Sequence, residues 1–85
     1  MARLSIHDEL GGAAALFRLG REAEGNAAFT RIIERLQAEL GGAAAGALAP
    51  LFPTFETILR AQERGDWLFV ADLLEHELGR MLVES

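Results

Sequence analysis

In 85 residues the chain carries eight arginines, no lysine, thirteen acids and no cysteine, for a formal charge of −5. That length holds one domain, 1–85; the acidic balance counts against nucleic acid and anionic membrane, and the missing thiols exclude disulfides and thiolate metal sites. Apolar residues at 51% are too many for a disordered acidic tail, yet no run of eighteen of them offers a membrane span.

Ala and Leu dominate, Val, Ile and Thr are sparse, and no segment alternates with period two. The chain reads as all-α, an antiparallel bundle of four helices near 6–19, 22–40, 50–64 and 67–82. Ser5-Ile6-His7-Asp8 fits a capping box and opens the first helix. Ile6, Leu10, Ala13, Ala14 and Phe17 recur at helical spacing, and Gly20 suits the residue just past the helix end. Arg18 and Arg21 complement the negative end of that helix. Gly11-Gly12 inside it reads either as tolerated weakness, at about 1 kcal/mol per glycine, or as a close approach of another helix.

The second helix starts between Arg21 and Asn26 and carries Phe29, Ile32, Ile33, Leu36 and Leu40 as its stripe. Gly41-Gly42 stops it, and 41–49 is the best candidate connection. Glu-Leu-Gly-Gly-Ala-Ala-Ala occurs at 9–15 and again at 39–45, but two short matches do not make a repeat architecture. Pro50 fits the first position of the third helix, whose stripe is Leu48, Leu51, Phe52, Phe55, Ile58 and Leu59. Gly65 ends it and Asp66 caps the fourth, giving a tight stop and restart.

Chemistry-bearing residues are few. Asp72 and His76 are four apart on one helix, with Glu75 and Glu77 adjacent, and His7-Asp8-Glu9 sits near the first helix start. A metal or ligand site built on the His76/Asp72 region is the alternative reading; a solvated acidic face explains the same residues. No GxSxG and no P-loop exist, and no strand precedes the Gly20–Gly25 segment as a dinucleotide fingerprint requires. The chain is therefore expected to be no enzyme and to carry no cofactor.

The apolar surplus is more informative, with six aromatic side chains in so short a chain. Trp67, Phe69, Val70, Leu73, Leu74, Leu78 and Met81 spread over more than one stripe of the fourth helix. One core absorbs a stripe of about 100°, so this helix is either central in the bundle or shared with a second chain. These seven are the candidate interaction surface, and the expectation is a homodimer with part of the fourth helix or the third-to-fourth hairpin in its interface, or a groove for another protein.

Ala61-Gln62-Glu63-Arg64-Gly65-Asp66-Trp67, followed by Ala71 to Leu78, resembles a group of small bacterial all-helical proteins of uncharacterised role. Phe17 to Gly20 and Phe29 to Leu36 are similar to their preceding helix pair. Those proteins look broadly like flagellar-type export chaperones, bundles that hold a partner's helix. The resemblance implies a helical, chaperone- or adaptor-like role, and no functional residue is carried over from it. The acidic start by Asp8, without an apolar leader stretch, makes cytoplasmic location the expectation.

Overall fold

The computed structural model describes residues 5–40 and 49–82. Helix α1 covers Ile6–Arg18 and begins where the Asp8 N–H donates to Ser5 Oγ at 3.0 Å, which satisfies one of the orphan donors of its first turn. It ends at Leu19, and Gly20 takes φ 79°. Gly20 N–H then donates to the Phe17 carbonyl and Arg21 N–H to the Leu16 carbonyl, at 3.1 and 2.9 Å, the paired bonds of a Schellman turn. Helix α2, Glu22–Leu40, starts at once. Gly25 N–H already donates to the Arg21 carbonyl at 2.9 Å, so Gly25 and Asn26 lie inside the helix and not at its cap. The Gly41-Gly42 stop, Leu48 and most of the second Ala/Gly fragment lie outside the described residues.

A 3-10 turn at Ala49–Leu51 leads into α3, Phe52–Glu63. Pro50 therefore belongs to the tighter turn, and Pro53 is the proline of the α-helix first turn, where a missing N–H removes no intrahelical bond. The α3 to α4 junction repeats the first turn's chemistry. Gly65 holds φ 71°, its N–H donates to the Gln62 carbonyl at 3.0 Å, and Asp66 N–H donates to the Ala61 carbonyl at 2.9 Å. The Asp66 carboxylate then accepts from the Phe69 N–H at 3.3 Å and caps the last helix.

That last helix, α4, runs as Trp67–Asp72, a π-helical stretch Leu73–Leu78, and Gly79–Leu82. The sequence predicts an uninterrupted α-helix over 67–82; the middle is wider. A π turn bonds i to i+5, and it brings Leu73, Leu74 and Leu78 to the inside together with Val70 and Ala71. Wide as it is, most of the stripe is buried within one chain.

The packing order follows. α1 packs against both α2 and α4, and α4 against α1 and α3, so α1 and α4 are the inner pair. Leu10, Ala14, Phe17, Ile32, Ile58, Val70, Leu74 and Leu78 form the dry centre. The Phe17 ring stacks on Trp67 with centroids 5.7 Å apart and 8° between planes. The same ring also meets Gly25, where an added Cβ would sit 2.9 Å from Phe17 Cζ. Close helix approach in this chain thus occurs at Gly25. At Gly11 and Gly12 an added methyl would meet nothing within 4 Å, so those two are the tolerated weakness of α1.

The two kinds of glycine should respond oppositely to alanine. Gly12→Ala should raise stability by up to about 1 kcal/mol through helix propensity alone. Gly25→Ala gains the same propensity but overpacks a closed site at roughly 1–3 kcal/mol, leaving a net loss of about 1 kcal/mol. Urea melts check this, and a shift of both variants in the same direction would remove Gly25 from the packing argument. At the second junction, Asp66→Ala should lower stability by about 1 kcal/mol; a loss below about 0.2 kcal/mol in the same melts would mean the carboxylate does not hold the α4 N-terminus.

Candidate interaction surface

The seven α4 residues expected at an interface are mostly inside the fold. Val70, Leu74 and Leu78 are 0% exposed and Leu73 is 9% exposed. Trp67 is half-buried against Phe17, and Met81 is half-buried with its thioether accepting from the Thr54 hydroxyl at 3.2 Å. Phe69 alone stays exposed. Their burial has a physical cause: α1 covers one side of α4, α3 covers another, and Leu73 and Leu78 of the π stretch lie between them.

The apolar surplus reaches solvent between the outer helices. Phe52 is 53% and Leu59 57% exposed on α3. Beside them lie the half-buried Phe29 and Ile33 of α2 and Phe55 of α3. Phe29 meets Phe55 edge-on at 6.3 Å, and Phe52 leans on Phe55 at 6.5 Å. Towards the α3 end, the Gln62 side-chain amide donates to Asn26 Oδ1 and ties the two helices together. Two open depressions of about 500 and 290 Å³ share Phe29, Ile33 and Leu59, forming one elongated groove. Its walls run from Asn26 and Gln62 at one end to Gln37 and Phe52 at the other, and among the described residues no ionisable side chain lines it. From Asn26 to Gln37 the groove spans about 16 Å, three turns of helix.

The sequence contained these residues but assigned them to core stripes. Phe29, Ile33, Phe55 and Leu59 keep helical spacing whichever edge of the stripe is covered, so periodicity alone could not separate the inner edge from the open one.

The candidate metal residues do not converge. Arg18 reaches from α1 to α4 and donates to Glu75 at 2.6 Å and Asp72 at 3.0 Å. Hydrogen bonds to Glu75 and then Asp72 push the Arg18 guanidinium above its ordinary value, so it stays a cation. Asp72 is therefore an ion-pair partner. His76 is exposed on α4 with Nε2 3.7 Å from Glu75. His7 sits in the first turn of α1, where its Nε2 N–H donates to the Gly79 carbonyl at 2.9 Å; a carbonyl only accepts, which fixes the donor. Among the described residues no three His, Cys, Asp or Glu side chains gather as metal ligands. Thr30 and Thr57 donate to the Asn26 and Pro53 carbonyls within their own helices.

No family model, curated protein or solved structure matches the chain. Among the described residues no helix is long and apolar enough to cross a membrane.

The two histidines should separate cleanly in a stability measurement. His7→Ala removes a bond between the first turn of α1 and the end of α4 and should lower stability by about 1 kcal/mol. His76→Ala should change it by less than about 0.5 kcal/mol, as for an ordinary surface position. Thermal melts of both variants check this; equal effects would contradict the assigned roles.

Proposed function

We propose that the chain is a non-catalytic protein–protein interaction module of the cytoplasm, and that the α2–α3 groove receives an apolar helix face from another polypeptide. The observation that carries this reading is the pair Phe52 and Leu59, both more than half exposed and continuous with Phe29, Ile33 and Phe55. Isolated apolar side chains on a surface are ordinary, but a contiguous aromatic and aliphatic strip at helical spacing is a partner surface. The groove is open and elongated, which suits a helix laid along it better than a small molecule that needs most of its surface enclosed.

Self-association is the second reading, and the uncharged lining favours it. A two-fold pairing needs a self-complementary patch, and a strip of Phe, Leu, Ile, Asn, Thr and Gln is one. Such a dimer passes through α2 and α3, since most of the α4 stripe is enclosed.

Site-specific photo-crosslinking tests the module reading. A photoreactive residue at position 59, expressed in the cell of origin, should give a discrete adduct. The same residue at His76, exposed on α4 and outside the groove, should not. No adduct from position 59, or the same adducts from both positions, would defeat the proposal.

A further inference from the structure

The charges bordering the groove identify the kind of helix it fits. Its lining is neutral, but three exposed glutamates follow its outer edges. On α3, Glu56 falls four residues after Phe52 and three before Leu59, and Glu63 falls four after Leu59, so Phe52, Glu56, Leu59 and Glu63 share one stripe. On α2, Glu34 falls four after Thr30 and three before Gln37, both of which line the groove. The nearby cations offset one of these three acids. Arg60 pairs with Glu56 at 3.7 Å. Arg31 lines the opposite groove, between α1 and α2. Arg35 is held by Glu9 and Glu39.

Both borders of an apolar channel are thus acidic, in a chain whose formal charge is −5. A second copy would bring the same acids against each other, whereas a helix with arginines or lysines flanking its apolar stripe would meet opposite charge on each side. Complementary borders of this kind set partner choice and orientation more than raw affinity. We infer that the occupant of the α2–α3 groove is a basic amphipathic helix of a different polypeptide, about three turns of it in contact. This inference rests on the module reading and goes further by fixing the partner's charge.

Two synthetic amphipathic helices of about 18 residues test it, both with leucines at i, i+3, i+4 and i+7. One carries lysine at the remaining positions and the other carries glutamate. Isothermal titration of the whole chain should give one-to-one binding of the leucine/lysine peptide and none of the leucine/glutamate peptide. Leu59→Gln should weaken binding about tenfold or more, and Glu56→Gln with Glu63→Gln should weaken it several-fold and flatten its salt dependence. Glu24→Gln, a charge change on the opposite face of α2, should leave it unchanged. Binding that ignores Leu59→Gln would mean the peptide only coats an acidic surface and would overturn the inference. Sedimentation equilibrium of the free protein separates the remaining outcomes. If neither peptide binds but the chain forms a dimer that Leu59→Gln dissolves, a second copy is the occupant; the basic partner falls while the module reading stands. If neither peptide binds and the chain is a monomer with the mass of 9.2 kDa, the groove has no helix to receive and both fall.

Discussion

Phe17 is the residue on which the arrangement of the helices depends. Its ring is 1% exposed and belongs to α1, yet its faces and edges are defined by other helices. Trp67 stacks on it from the first position of α4, and the bare Cα of Gly25 lets α2 come close enough to touch it. A glycine inside a helix is unfavourable by about 1 kcal/mol against alanine. Here that weakness is offset by burying a phenylalanine ring, a contribution of roughly 1.5–3 kcal/mol. The Trp67 side of the arrangement rests in turn on the α3–α4 junction. Gly65 at φ 71° reverses the chain and Asp66 caps the new helix, so that Trp67 begins α4 opposite Phe17.

The parts of this fold governed by local chemistry were legible in the sequence. Ser5, Gly20, Gly65 and Asp66 mark helix ends because each solves a problem of its own few neighbouring amides or of its own φ angle. The four helices follow from spacing and composition for the same reason. Gly25 was not legible as a packing residue, since its partner Phe17 lies across a turn and a glycine carries no side chain to announce what it touches. Gly11-Gly12 carried the stronger sequence signal and touches nothing. The π stretch of α4 was equally hidden. It depends on α1 and α3 both claiming the same helix, and a hydrophobic pattern with Leu73, Leu74 and Leu78 all apolar is compatible with one wide face or two narrow ones.

The same ambiguity moved the candidate surface from one helix to two others. A broad apolar stripe signals either a central helix or a shared one, and α4 is central. The excess apolar area then has to emerge at the helices with fewer neighbours. α2 lies against α1 and α3 lies against α4, so each of these outer helices keeps an uncovered edge. Phe29 and Ile33 on one, Phe52, Phe55 and Leu59 on the other, sit at those edges. What the sequence held was the total of apolar side chains; which of them lack a neighbour depends on the order in which helices pack.

The groove stays open for a reason found on the far side of α2. Closing it would bury Phe52 and Leu59 by moving α2 towards α3, and each large side chain covered would favour that motion at about 25 cal/mol per Å². The motion would also lift Gly25 from Phe17 and break the Arg35 to Glu9 pairing that joins α2 to α1. Drawing a helix away from a packed ring forfeits both the burial of that ring and its dispersion attraction, so the outer helix is pinned by its inner face. The edge-on packing of Phe29 with Phe55 and the amide bond of Gln62 to Asn26 then fix the floor and one end of the channel. A groove held open by the core does not have to be opened by whatever enters it, so under the proposed role less of the interaction energy would go into ordering the receptor.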